Sequence, residues 1–326
     1  MSVKTNVLSL LEANRDRDLS GQDMAEKLGV TRASVWKAVK ALQAEGYRIE
    51  AANNRGYRLQ EQSDVLSAEG IRPDLQEQYK DREIVVCKVT DSTNQEVKRR
   101  ALEGAEEGLV VLAEEQTAGR GRRGREFSSP SGTGIYMSVL FRPTPEQSSD
   151  VVLITTAASV AVCRAIQQVL QEEPSIKWVN DIFLREKKVC GILTEAVSDF
   201  ESGRIDTVVV GIGINYREPT EGFSEELRHI AGAVCSGDCF IPRNRLAAAV
   251  MNELFFLYEH LSEKTYMADY KRLSNVLGKE VKFTSGNDWK YGTAIDIDED
   301  GGLVIRREDG SKQILRTGEI TLRVCE

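Results

Sequence analysis

The sequence predicts an α+β protein of three units: an N-terminal winged helix-turn-helix, a central mixed α/β domain and a C-terminal small β-barrel of SH3 type. Three observations predict it. Apolar residues recur at helical spacing up to Gly46 and then alternate. Apolar strands interleave with helical stretches from Ile84 to Asn215. From Val281 onward, short strands follow one another across tight polar turns. The boundaries fall at 1–62, 65–272 and 275–326. A length of 326 residues, too long for one ordinary core, agrees with several domains.

In the head, Val3, Val7, Leu8 and Leu11 line one face of a first helix. Ser20 is placed to cap a second, with Met24, Ala25 and Leu28 inward, and Gly29 breaks it. Thr31 caps a third, in which Val35, Val39 and Leu42 share a face. Residues 47–50 and 57–59 read as two strands joined by a turn at 53–56, which makes the wing. A small three-helix interaction domain is the alternative. The helix-turn-helix pattern points to DNA, with Thr31, Arg32, Ser34, Lys37 and Lys40 on or beside the reading helix and Asn54 and Arg55 in the wing. Charge agrees. The whole chain carries −8, which argues against a general polyanion binder, but residues 1–62 hold ten Lys/Arg against eight Asp/Glu. So weakly basic a head needs a dimer reading two half-sites.

In the centre, strand 84–89 leads through Ser92-Thr93-Asn94 into a helix with Val97, Ala101 and Leu102 inward. Those three polar residues serve either as helix caps or as ligand donors. Strand 108–113 leads through Gln116 to the run GRGRRGR at 119–125. Four arginines and three glycines have nothing to bury, and the guanidinium groups repel one another. An anion would hold such a segment, because arginine forks match phosphate and glycine lets backbone N–H groups approach. A solvated basic turn or a nucleic-acid patch is the alternative. The dinucleotide reading of Gly119, Gly121 and Gly124 fails, since a loop and not a helix follows, and the chain has no GxxxxGK[ST] motif. Strand 135–141, a helix over 153–171, strand 176–179 and strand 182–184 come next. The charged turn 185–188 enters strand 189–195, with Lys188 placed to meet a carboxylate or phosphate, or simply solvated. Asn180-Asp181 and Asn215, at strand ends, suggest one shared pocket. In the tail, Asp296, Asp298 and Asp300 alternate but lack the glycine and glutamate of a calcium loop, so they read as turn residues.

Six cysteines at 87, 163, 190, 235, 239 and 325 form no CxxC, and His229 and His260 have no metal-ligand spacing. This predicts reduced thiols and no structural metal. The N-terminus breaks quickly into charge and no run of 18 apolar residues occurs, which predicts a cytoplasmic protein with no membrane partner.

Taken in order, Ser92-Thr93-Asn94, Gln116-Thr117-Ala118 with GRGRRGR, KWVND at 177–181, KVCGILTE at 188–195 and GIGIN at 211–215 resemble the biotin protein ligases. Head and tail make the chain similar to the bifunctional type, at once ligase and biotin operon repressor. The resemblance covers essentially the whole chain and implies a central domain of the biotin/lipoyl ligase type. It implies that biotin and ATP-Mg²⁺ form biotinyl-5′-adenylate, and that the acyl group passes to a lysine of a biotin carboxyl carrier domain. Acetyl-CoA carboxylase would supply that domain, with pyruvate carboxylase a second candidate. By the same resemblance Ser92, Thr93, Asn94 and Gln116 bind the biotin head group, beside Gly191. Gly119, Arg120, Gly121 and Arg122 close over biotin and the adenylate phosphate. Lys188 meets the reacting carboxylate and α-phosphate. Lys177, Asn180, Asp181, Phe127 and Asn215 face ATP or the adenylate. The adenylate-bound form would dimerise and bind operator DNA. Two positions depart from the family pattern: Phe127 stands where a tryptophan is common, and Val179 where KWPND has proline, which would loosen the turn before Asn180. A lipoate or other acyl-carrier ligase, or a repressor that senses biotin without catalysis, are the rival readings; the arginine loop, head and Lys188 argue against them.

Overall fold

A computed structural model describes residues 2–15, 17–52, 55–144, 151–198, 205–237, 239–285, 288–316 and 323–324. The head folds as its pattern predicts. Helices α1 (Val3–Glu12), α2 (Gly21–Leu28) and α3 (Arg32–Ala44) enclose a separate core of Val7, Leu8, Leu11, Met24, Val35, Val39, Leu42 and Leu59. Ser20 Oγ accepts from the N–H groups of Gln22 and Asp23, Gly29 ends α2 at φ +64°, and Thr31 Oγ1 accepts from Ser34 N–H. Strands β1 (Ile49–Ala52) and β2 (Gly56–Leu59) pair antiparallel, so the wing begins two residues later than predicted. Leu19 and Tyr57 exchange backbone hydrogen bonds across the helices' entry.

Helix α4 (Ala68–Ile71) follows the head. A seven-stranded sheet then forms from β3 (Ile84–Thr90), β4 (Val110–Gln116), β5 (Gly134–Phe141), β6 (Ser175–Lys177), β7 (Asp181–Leu184), β8 (Lys187–Ser198) and β9 (Ile205–Asn215), in the order β3-β4-β5-β9-β8-β7-β6. Among the described strand pairs of this sheet, only β3 and β4 run parallel, joined by the crossover helix α5 (Thr93–Leu102). The two faces alternate along each strand. Val111, Leu140 and Val209 pack with Val97 of α5. Val110, Leu112, Val139 and Val210 turn to the other face, covered by α6 (Val151–Leu170) and α7 (Arg243–Glu259). Residues 152–170 of α6 are long and apolar enough to cross a membrane by composition, but two-thirds of the most apolar stretch is already buried against protein (67%). Helix α8 (Met267–Leu273) leads to an antiparallel sheet of β10 (Glu280–Ser285), β11 (Asp288–Ile297), β12 (Leu303–Arg306), β13 (Lys312–Leu315) and β14 (Arg323–Val324). Asp298 Oδ1 accepts from Asp300 and Gly302 N–H, so Asp298 and Asp300 belong to a turn as expected, while Asp296 is a residue of β11 that pairs with Lys271.

Four expectations are corrected. Leu102, placed on the inner face of α5 with Val97 and Ala101, is instead 88% exposed. Trp178 and Val179 belong to the β6–β7 turn and not to a strand. The turn after β7 is only Arg185-Glu186, both at positive φ as a two-residue hairpin requires, so Lys187 and Lys188 are strand residues. Cys235 and Cys239 form a disulfide, while Cys87, Cys163 and Cys190 are free as expected and Cys325 lies outside the described residues. The pair lies four positions apart in sequence, with Cα atoms 5.4 Å apart, within bridging distance.

Gly56 holds the wing: it sits at φ +102°, and a Cβ there would lie 2.0 Å from Leu19 O. Gly56→Ala should therefore lower stability by more than about 1 kcal/mol, read by urea denaturation. An unchanged midpoint would refute this role.

Candidate functional site

The face of β9 that packs on α5 reads Val209, Gly211, Gly213, Asn215. Val209 joins the core. At the next two places the strand presents no side chain, and other groups move into the space. A Cβ on Gly211 would lie 2.2 Å from Asn94 Oδ1, and one on Gly213 2.5 Å from the Phe127 ring. Gly191 of β8 pairs with Gly213 and widens the strip. The glycines thus make a bare floor, and a cavity of about 340 Å³ opens above it.

One end is a network of hydroxyls and amides. Gln116 Oε1 accepts from Thr93 N–H (2.9 Å) and lies 3.1 Å from Thr93 Oγ1, while its Nε2 donates to Ser129 Oγ at 2.8 Å. Asn94 Nδ2 donates to Glu195 Oε2 at 2.7 Å and to Leu193 O at 3.3 Å, and Ser138 Oγ is 2.6 Å from Asn94 Oδ1. Lys98 Nζ bonds the second Glu195 oxygen at 2.7 Å. Burial works to raise the Glu195 pKa, but the bonds from Lys98 and Asn94 outweigh it and hold the carboxyl below its usual range. Ser92 occupies the N-cap position of α5 yet makes no capping bond, so its hydroxyl is left to the cavity.

The other end is charged. Lys188 lies five residues from Leu193 along β8, roughly 16 Å of strand. Its Nζ pairs with Asp181 Oδ1 at 2.7 Å. Arg122 Nη1 donates to Asn180 Oδ1 at 3.1 Å, and burial lowers the Arg122 pKa against the opposing pull of Asp181. Asn180 is fixed in turn by two bonds with Ile192. The turn before it is not loosened by Val179, because Val179 O accepts from Tyr270 Oη at 2.9 Å and from Ser159 Oγ at 3.3 Å. Trp178 Nε1 donates to Gly301 O at 2.8 Å, so the tail supports the same turn.

The arginine run is not held by an anion alone. Phe127 N–H donates to Gly119 O at 2.9 Å and Gly121 N–H to Arg125 O at 2.8 Å, which folds the loop back on itself as a hairpin. Positive φ at Arg123 and Gly124 makes the reversal. Arg120, Gly121, Arg122, Phe127, Lys177, Asn180, Asp181, Lys188, Gly191 and Asn215 line the cavity together with Ser92, Thr93, Asn94 and Gln116. Gly119 does not. It lies beneath the loop, where a Cβ would meet Phe127 O at 2.3 Å. Ser129, Ser138, Lys98, Glu195, Trp178 and Arg217 were missed in the sequence. Ser138 had a signal, a hydroxyl within the apolar run IYMSVLF. In the head, Arg32, Lys37 and Lys40 are exposed on α3, Thr31 and Ser34 are joined in its cap, and Arg55 lies 3.8 Å from Asp18. Asn54 lies outside the described residues.

A polar end for a small uncharged head group, a bare floor and a cationic end under an arginine loop define an acyl-activating ligase site, here joined to a helix-turn-helix. Residues 86–215 match the biotin/lipoate A/B protein ligase family, 4–58 an HTH domain and 276–323 the biotin protein ligase C-terminal domain. The chain is 32% identical to the bifunctional ligase/repressor BirA of Bacillus subtilis over 96% of its length and 97% of that protein. It is 29% identical to the Escherichia coli protein of that name over 94% of each. A biotin protein ligase from Aquifex aeolicus, solved with biotin and ATP, superposes with a TM-score of 0.64 at 27% identity, over 74% of this chain and 99% of that one. The chain belongs to the biotin protein ligase family, in its bifunctional ligase/repressor form. It is a biotin–protein ligase with a winged helix-turn-helix head.

Glu195 yields a pH prediction. A depressed carboxyl keeps its contribution above the usual carboxylate range and loses it as pH falls through the lowered pKa. Lys98→Met removes the strongest bond lowering that pKa, so the acid limb of kcat/KM for biotin should move to higher pH. An unmoved limb would separate Glu195 from biotin recognition.

Proposed function

We propose that this chain joins biotin to ATP as biotinyl-5′-adenylate with loss of pyrophosphate, then passes the biotinyl group to the ε-amine of a carrier-domain lysine, forming an amide and releasing AMP and a proton. The observation that carries the residue roles is the gathering of the polar network and the Lys188–Arg122 end over one glycine floor. Ser92, Thr93, Asn94 and Gln116 bind the biotin head group. Lys188 holds the carboxylate against the α-phosphorus, and with Arg120 and Arg122 it stabilises the charge that gathers on the phosphoryl oxygens as the pyrophosphate bond breaks. The Phe127 ring, on Gly213 and 6.3 Å from Tyr136, offers a face to adenine. Lys177, Asn180, Asp181 and Asn215 serve ATP or the adenylate. The hairpin loop covers the mixed anhydride against water. Cys190, the free thiol lining the cavity, is a poor nucleophile, because burial drives its pKa up.

Magnesium would enter as an ion on the ATP phosphates, and Asp181, now paired with Lys188, would supply it one carboxylate. No cluster of three His, Cys, Asp or Glu side chains suited to a resident metal occurs among the described residues. The carrier domains are those of acetyl-CoA carboxylase and, as a second, pyruvate carboxylase, reached in the cytoplasm. We assign residues 1–62 to DNA binding, 65–272 to catalysis and 275–326 to the tail. The head's separate core supports the first boundary, while apolar contacts run continuously across the last. Repression follows adenylate-dependent homodimerisation on an edge of the seven-stranded sheet, bringing two heads to two half-sites.

Incubation with biotin, ATP-Mg²⁺ and a carrier domain should add the biotinyl mass to the carrier. Arg122→Ala and Lys188→Ala should each slow adenylate formation about 10²–10³-fold, measured by pyrophosphate exchange. Normal ligation by both variants would overturn these roles. Sedimentation with and without biotin and ATP tests the dimer, and identical association in both states would sink it.

A further inference from the structure

Every large apolar residue of α3 but one is inside the head. Val35, Val39 and Leu42 are at most 1% exposed. Trp36 is 52% exposed. It has no ring contact or hydrogen bond among the described residues. Its neighbours explain what could cover it. Arg32, Trp36 and Lys40 are spaced four residues apart, so they stand in one row along the helix, one turn from each other. The row from Arg32 to Lys40 spans about 12 Å at 1.5 Å per residue, close to the width of the major groove. Lys37 lies beside it, also exposed. With α3 laid in a major groove, a cation at each end of the row would reach a phosphate and the indole between them would face the groove floor.

The floor of the major groove offers one apolar group, the thymine C5-methyl. We propose that Trp36 reads this methyl group, and that it makes α3 select thymine at a fixed position of each half-site. The assignment rests on the DNA-binding reading of the head. Positive charge on both sides favours DNA over a protein partner, whose apolar docking patch would not need flanking cations. Arg32 and Lys40 contribute affinity that any sequence would receive; Trp36 contributes preference between bases.

The test uses the full chain with biotin, ATP and magnesium, and a duplex selected by the wild-type protein from a randomised pool. Thymines of that duplex are replaced singly by uracil, which removes only the methyl group. The wild type should lose about fourfold in affinity at one thymine per half-site, the effect of one buried methyl. Trp36→Ala should bind the parent duplex at least tenfold more weakly and be indifferent to that uracil. Trp36→Phe should keep part of the discrimination. The slope of affinity against salt should be unchanged in both, since no charge is removed. Uracil sensitivity equal in wild type and Trp36→Ala would overturn the assignment while leaving DNA binding intact. Failure of the wild type to enrich any duplex would overturn the DNA-binding reading, and this assignment with it.

Discussion

Arg243, at the start of α7 and only 2% exposed, ties together the parts on which the site depends. Its guanidinium bonds Asp64 in the segment leaving the head, Glu114 on β4 and the carbonyl of Gly134 at the start of β5. Burial works against the charged form, and the two carboxylates more than restore it, so its pKa is raised. Breaking one partner from such a buried group commonly costs about 3–5 kcal/mol, because a charge is left unpaired inside. Glu114 Oε1 also accepts from Leu66 N–H, and Asn244 next door bonds both Val65 and Ser67. The chain between head and sheet is therefore fixed by buried polar bonds, not strung loosely between two domains.

The position of the cavity follows from that anchoring. Glu114 lies two residues before Gln116, and Gly134 pairs with Asn215. Of the strands that grip Arg243, β4 ends in the site residue Gln116, and β5 begins opposite Asn215, the last residue of β9. The floor needs β5, β9 and β8 in register, since Gly211, Gly213 and Gly191 must lie on one face to leave room for Asn94 and Phe127. A slip of one residue would turn these glycines to the core and place Val210 or Ile212 under the ligand.

The head was legible almost residue by residue. Its caps at Ser20 and Thr31, its break at Gly29 and its inward faces depend on neighbours three or four residues away. The site was legible as a set of short motifs, and all but Gly119 of its named central residues line the cavity. What escaped was the supporting layer. Lys98, Ser138 and Glu195 come from three elements and meet only when α5 lies across β5 and β8. Trp178 finds its acceptor at Gly301, more than a hundred residues on. No local pattern encodes such partners.

The sequence by itself determined the element types, the helix ends, the family and the residues offered to ligand, because periodicity, capping and glycine placement act over a few residues. Only the tertiary structure decided that the arginine loop closes into a hairpin on its own backbone bonds, that Cys235 meets Cys239, and that the tail props the Trp178 turn. It also decided that Trp36 stays in solvent while its helix buries every other large apolar side chain. These outcomes depend on which surfaces the packed elements cover, and long-range packing sets that.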